Sequence, residues 1–508
     1  MKRYFLVAMF SSLLLGLNGC KDYFDINYDP NSPAEENLTS DMIIPAAEMN
    51  IAATYASTLH ILGAYNIQYY AEQFGTPNYV PYSQFLVTPT NGNGVYRQLF
   101  QRALSNLNIV KKKATESGQN GVLLQATVLR AFAYQLLVDA FGEVPFTEAF
   151  DPDNLSPRYD EGQFIYESLI QEIDDALAAV GSSDPVTTSF IIPSKSTAEW
   201  IKFANAQKLK MLTRMSSADG VDKSAEIKAI IDGGNLPAAD VQIAGCWKDA
   251  SGQANPFYSE ERATWGIVTH NIIANLALVG TLNTDSYTDP RLAAWFLPNK
   301  EGKYQGSISG TNLSTAKAPY NTTDAWCELV LDYNTPVIFI SKAEIEFFIA
   351  EYYAKASDAT NAKIHYDAAI EASFATANVD GAAAHIAQFP YKDSEKWKRI
   401  GLEKWKALAG INGFEGYTEA RRLGYPRFGA LKASDIFDGS GALDLTKYQP
   451  DKLYEPFQKN SQVKEYELLQ RFPYPEFSTS RNQNAPAFPG YNEPIFWDKV
   501  NNDTTTIK

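Results

Sequence analysis

Residues 341–375 constrain the fold more tightly than any other stretch of the chain. Ser341 and Glu344 form an S-x-x-E capping box, in which the serine hydroxyl takes an orphan helix N–H and the glutamate reaches back to the serine N–H. Ile345, Phe348, Ile349, Tyr352 and Ala356 then recur at the spacing of one helix face. Ala350 and Tyr353, and after a turn Ala362, Tyr366 and Ala369, set small residues where two antiparallel helices must touch and aromatics where the groove between them must be filled. A strand cannot use this pattern, because its side chains alternate with a period of two.

The spacing is that of the tetratricopeptide helix hairpin in a divergent copy: Phe374 replaces the terminal proline and Glu346 stands where an aromatic often sits. A second box, Ser196 with Glu199, opens a helix whose face carries Trp200, Phe203, Ala204 and Gln207. Further pairs are expected at about 39–74 with 95–113, 121–141 with 162–180, and 196–216 with 222–232. By contrast, 235–335 and 425–508 are rich in Gly, Pro, Asn and aromatics without helical period. The predicted fold is mainly α: tetratricopeptide-like helical hairpins form a scaffold, overlaid by long loops with a few short strands. With 45% apolar residues among 508, the chain has material for a large core, and 38–508 is read as one domain.

The first twenty residues are an address. Lys2 and Arg3 precede an apolar run from Phe5 to Leu17, the layout of a secretory signal, so 1–19 is assigned as signal peptide. At 1.5 Å per residue that run spans about 20 Å, short of the ~30 Å membrane core. Its end, Leu17-Asn18-Gly19-Cys20, resembles the bacterial lipobox, although Asn18 departs from the usual small residue. Cys20 would then be the lipidated first mature residue, with 20–37 as its flexible tether. Several acyl chains anchor stably where one does not, each buried CH₂ contributing about 0.8 kcal/mol.

Much chemistry is excluded. A net charge of −15, with no basic run beyond Lys111–Lys113, leaves no cationic face for nucleic acid. The four histidines are too scattered for a local metal motif, and no metal site is assigned. Ile308 occupies the nucleophile position of the string nearest to G-x-S-x-G, and Asn91-Gly92-Asn93-Gly94 lacks the rest of a phosphate cradle. No cofactor is expected. Asp151-Pro152-Asp153-Asn154 offers oxygen donors that would suit structural calcium or a solvated turn. Cys246 and Cys327 lie in an exported chain, where a disulfide is permitted but not required.

Several segments carry a family resemblance. Ala126-x-x-Leu129-Arg130-Ala131, then Asp139-x-Phe141-Gly142-Glu143-Val144-Pro145-Phe146, resemble the signature of the SusD/RagB-like outer-membrane nutrient-binding lipoproteins of Bacteroidetes. Asp25-Ile26-Asn27, Trp200 to Asn205, Asp289-Pro290-Arg291-Leu292, Lys404-Trp405, Glu419 to Pro426 and Arg471 to Pro475 with Asn482 to Asn484 continue it in order. Physically, these motifs read as structure: Gly142 ends a helix at a corner, and Gly424 with Pro426 terminates a long helix whose Arg421 and Arg422 face its negative end. The resemblance implies a non-enzymatic cell-surface receptor, held at the outer membrane by its lipid. It would bind an oligosaccharide, or an oligopeptide as some members do, and deliver it to a SusC-like TonB-dependent transporter. A surface glycosidase remains the enzymatic alternative, because paired carboxylates carry no short motif, and a protein-binding helical scaffold is another.

The resemblance places ligands on loops at about 75–95 and 255–330. Tyr79, Tyr82 and Asn93 in the first, with Trp265, Tyr304 and Trp326 in the second, are the candidate contacts, while Trp295 is assigned to the core. Changing Cys20→Ser is expected to release the protein from the membrane fraction and abolish labelling with a fatty-acid analogue. A variant that stays membrane-bound and labelled would refute the lipobox.

Overall fold

The computed structural model describes residues 38–76, 78–263, 271–311, 315–438 and 440–498; Cys20, the signal and the tether lie outside them. Helices dominate. Helix α1 (Ser40–Ala53) runs through a π-helical segment, Thr54–Leu59, into α2 (His60–Asn66). It packs on a second π segment, Arg97–Leu104, and its continuation α3 (Ser105–Ser117). Next come α4 (Asn120–Phe141) and α5 (Gly162–Ala179), α6 (Thr197–Met215) and α7 (Ser224–Gly233), and α8 (Lys342–Lys355) and α9 (Ala359–Thr376). A helix ending at Gly424 was expected, but the structure makes it two, α10 (Lys396–Ala409) and α11 (Gly413–Leu423).

The α8–α9 hairpin follows its pattern. Both capping-box bonds of Ser341 and Glu344 form, and Ala350, Ala362, Tyr366 and Ala369 are fully buried between the helices. Glu346, in the aromatic slot, is held by Lys342 at 2.6 Å and by His365 Nδ1 at 2.6 Å. Ser196 forms only half of its box, accepting from Glu199 N at 3.3 Å while Glu199 turns to Lys202. Helix α4 is apolar enough to cross a membrane, yet 94% of its apolar window is buried, wrapped by α3, α5 and α6. It is the core of the scaffold.

The arginines near 421 correct the sequence expectation. Helix α11 has only 11 residues, and Gly424 terminates it in the left-handed conformation at φ +67°, which costs glycine no steric penalty. Its arginines, however, point inward: Arg421 Nη2 donates to Asp139 O at 3.0 Å, capping the last turn of α4, and Arg422 pairs with Glu351 and Glu419. Helix α11 also crosses α2 with backbone against backbone. A Cβ on Gly63 would lie 2.4 Å from Gly413 O, and one on Gly413 would lie 2.5 Å from the Ala64 Cβ.

Short strands lace the loops onto this scaffold. One sheet runs β1 (Tyr70–Glu72), β2 (Ile272–Ala274), β4 (Glu328–Leu329) and β3 (Phe296–Leu297), in that spatial order and antiparallel throughout. Ala71 pairs with Ile273, and Phe296 with Leu329. The long 235–335 insertion is therefore anchored to the chain segment that leaves α2.

Packing in α8–α9 generates a measurable expectation. Ala350→Leu or Ala362→Leu should overpack the hairpin and cost about 1–3 kcal/mol in denaturant melts, whereas Lys355→Leu at an exposed position should change stability by at most about 0.5 kcal/mol. Equal, negligible effects at all three sites would contradict the packing.

Candidate ligand-binding face

The β1–β2 pairing lays the 75–95 loop beside the second stretch. Gln73 N–H donates to Asn271 O at 2.9 Å, Asn78 Nδ2 to Asn271 Oδ1 at 3.0 Å, and Gly310 N–H to Ser83 Oγ at 3.1 Å. On this junction the Tyr79 ring stands 5.7 Å from both Tyr65 and Tyr82, and it is 8% exposed. Its hydroxyl approaches Glu260 Oε1 at 3.5 Å; burial and that carboxylate push its pKa well up. Tyr82 is half-buried, and its hydroxyl accepts from Asn91 Nδ2 at 3.0 Å. Asn91 is itself fixed by Thr88, whose backbone N–H donates to Asn91 Oδ1 at 2.7 Å. A partly open aromatic face bordered by amides can stack on a sugar ring and bond its hydroxyls, or pack an extended peptide.

The other candidates fall differently. Asn93 Oδ1 accepts the Phe477 N–H at 2.8 Å, tying the C-terminal loops to the scaffold. Trp265 lies outside the described residues. Tyr304 is half-buried, next to a segment pinned by Gln305 N–H on Cys327 Sγ at 3.1 Å. Trp326 is 1% exposed, and Tyr320 covers it with ring centroids 5.6 Å apart, so Tyr320 is the ring that borders solvent there. Among the described residues no ring contact or hydrogen bond joins the Tyr79–Tyr82 group to Tyr304 or Trp326. Trp295 is half-buried rather than deep in the core, wedged where a Cβ on Gly410 would come within 2.0 Å of its Nε1.

Sequence reasoning missed Glu260, Asn91 and Tyr320. The Thr88-x-x-Asn91 spacing was the one available signal, since both its capping bonds form; Glu260 is one of 59 acidic residues with nothing to distinguish it. The Asp151–Asn154 stretch is a turn closed on itself, with Asp151 Oδ1 accepting from Asp153 N at 3.0 Å and Asn154 Nδ2 donating to Glu148 at 3.0 Å. Among the described residues no group of three or more His, Cys, Asp or Glu side chains could hold a metal. Cys246 and Cys327 are both free, and burial pushes the Cys327 thiol up to about 11.

Two buried carboxyls support the junction. Glu261 Oε1 accepts from Asn271 N at 2.6 Å and Ile272 N at 2.8 Å. Glu72, on β1, is fully buried with neither carboxyl oxygen hydrogen-bonded among the described residues, and burial raises its pKa to about 8. It therefore keeps its proton at neutral pH.

Helix hairpins overlaid by a loop-built face of rings and amides define a tetratricopeptide-like repeat scaffold. The chain belongs to the SusD-like family, whose profile, described as starch-binding and associating with the outer membrane, matches residues 30–439. The fold is similar to that of a SusD homologue from Bacteroides uniformis, at TM-score 0.71 and 18% identity over 90% of this chain and 99% of that one. It is likewise similar to a SusD homologue from Parabacteroides distasonis, at 0.70 and 20% over 91% and 98%. A chitin-binding protein aligns at 0.69 and 18% over 89% and 99%. No curated protein sequence matches the chain.

The Glu72 carboxyl predicts a pH dependence. Because its pKa is higher in the folded chain than in the unfolded one, its stabilising contribution is complete below about 4.5 and is lost as pH rises toward 8. The melting temperature should accordingly fall less between pH 5 and pH 8 in Glu72→Gln than in the native protein; parallel curves would show that Glu72 does not hold its proton.

Proposed function

We propose that this protein is a lipid-anchored cell-surface receptor that captures an oligosaccharide and delivers it to a SusC-like TonB-dependent transporter, without turning it over. The observation that carries this reading is the SusD-like match over 30–439. A glycan is favoured over a peptide because the family is described as starch-binding and one structurally similar protein as chitin-binding. The loop face agrees in kind: Tyr82 offers a ring edge beside the Asn91 amide, which is the chemistry of sugar recognition. Tyr304 and Tyr320, both half-buried, supply further aromatic surface, with Trp326 packed against Tyr320 at 5.6 Å.

The test is a binding screen against polysaccharides and peptides, with product analysis, on protein extracted gently from outer membranes. Saturable binding of a glycan without new reducing ends, together with co-purification of a large barrel protein, is expected. Tyr82→Ala should weaken that binding while leaving the melting temperature within a few degrees. Release of shortened products would convert the reading to a glycosidase, and binding of peptides alone would reassign the ligand.

A further inference from the structure

Beside the Tyr82–Asn91 part of the loop face, three exposed arginines meet no carboxylate among the described residues, in a chain with 59 acidic residues to 44 basic ones. We propose that Arg97, Arg102 and Arg481 form an anion-binding edge, and that the oligosaccharide received there is an acidic one, carrying carboxylates or sulfate esters. The inference rests on the proposed receptor function and narrows its ligand.

The fold assembles this group around one ring. The short helical turn Glu476–Thr479 packs on Pro89–Asn91 and on the Gly92–Tyr96 segment, and Phe477 N–H donates to Asn93 Oδ1 across 384 positions of chain. The half-buried Phe477 ring thereby meets the start of the π segment, with the Arg97 guanidinium 5.5 Å and the Arg481 guanidinium 4.6 Å from its centroid. Arg102 follows Arg97 by one i→i+5 step of that segment, whose other side is buried through Leu99, Phe100, Ala103 and Leu104. Arg102 Nη1 donates to Gln98 Oε1 at 3.2 Å.

An exposed arginine is ordinarily just solvated, and three observations set these apart. Carboxylates are within reach of most other arginines: even Arg158, with 72% of its side chain exposed, is met by Glu148, and Arg399 by Glu395. Glu476, on the same turn as Phe477, makes no ion pair among the described residues. Next, stacking on Phe477 orients the planar guanidiniums of Arg97 and Arg481, and neither makes a hydrogen bond among the described residues. Their N–H edges are left to grip a carboxylate or sulfate in the two-pronged geometry that arginine favours. Finally, Asn93 lies two residues beyond Asn91, the amide that holds Tyr82, so their Cα atoms are at most about 7.6 Å apart. A ligand of a few sugar units at Tyr82 can span both. The net charge of −15 does not oppose this, because charges beyond about 8 Å are largely screened at physiological salt and the local cations decide.

The experiment titrates the intact, detergent-solubilised protein with oligogalacturonate, chondroitin sulfate oligosaccharide, maltohexaose, chitohexaose and poly-glutamate, read by calorimetry at low and at high salt. At least one of the two acidic sugars should bind saturably and more tightly than either neutral one, and less tightly at high salt. Arg97→Gln with Arg481→Gln should weaken that binding by about tenfold and flatten its salt dependence, with the melting temperature unchanged because both side chains are exposed. Tyr82→Ala should weaken it as well. Arg427→Gln is the control: Arg427 also lacks a carboxylate but stacks on Tyr425 at the strand Arg427–Lys432, and its loss removes the same charge without touching binding. Which acidic sugar binds separates carboxylate from sulfate. Binding of neutral glycans alone would overturn the inference while the receptor function stood, and binding of no glycan would overturn both. Equal binding by poly-glutamate, or native affinity in the double arginine variant, would reduce the edge to a general anion surface or to solvated charge. Acidic-sugar binding that survives Tyr82→Ala would place it apart from the loop face and overturn the assignment.

Discussion

Arg214 lies on α6 with its guanidinium fully withdrawn from water, and the helical scaffold is arranged so that this charge is never left alone. It donates to Asp139 of α4 at 2.5 Å, to Glu419 of α11 at 2.9 Å, and to Glu415. Glu419 is shared with Lys404 of α10 at 2.6 Å and with Arg422, and those two cations together hold Glu351 of α8. Lys210 adds Glu344 and Glu415, each at 3.2 Å. Burial pushes the Asp139 carboxyl up, while neighbouring cations hold Glu415 and Glu419 down. Removing one member of such a network strands its partner in a dry interior, typically at about 3–5 kcal/mol. The network therefore sets register: sliding any of these helices by one turn, about 5.4 Å, would leave a charge unpaired.

The loops depend on the scaffold through amides rather than charges. Gln68, at φ +58° just beyond α2, donates to Tyr454 O at 2.6 Å and accepts from Tyr454 N at 3.2 Å. Asn275 caps the next turn of helix through Ala277 N at 2.9 Å, while its Nδ2 donates to Ser309 Oγ at 2.7 Å and its Oδ1 accepts from the Tyr454 hydroxyl at 2.8 Å. These two buried side chains join β1, the long insertion and the C-terminal loops at one point. The exposed tips of these loops are thereby held at a distance from the packed helices.

How far the sequence could be read depended on whether a residue's task was local. The α8–α9 hairpin was legible because small and aromatic residues at fixed spacing state how two helices meet, and the Ser341 cap because both its partners lie within four residues. Gly142 and Gly424 were legible as corners for the same reason. Helix α10 was not, because Lys404, Lys406 and Glu403 are buried in ion pairs with one another and with distant helices, and in a linear reading they look like a solvated face. Arg421 and Arg422 were misdirected by that same logic. In the loops, nothing in the string around Trp326 states that Tyr320 will cover it, and the pairing of Tyr79 and Tyr82 with Asn91 and Glu260 appears only once β1 and β2 have met.

The contact between α2 and α11 also ties together distant parts of the chain. Gly63 and Gly413 let the two backbones touch, and the Gly413 N–H donates to His60 Nδ1 at 3.0 Å across 353 positions of chain. Burial holds that imidazole down to about 3, neutral and able to accept. Tyr70 and Phe257 cover the other side of the same ring, the Tyr70 hydroxyl 3.0 Å from His60 Nε2 and the Phe257 centroid 4.5 Å away. Closing a loop of that length is slow relative to forming the hairpins between. The middle hairpins are built from contacts close in sequence, whereas the ends of the scaffold are joined by contacts far apart in the chain.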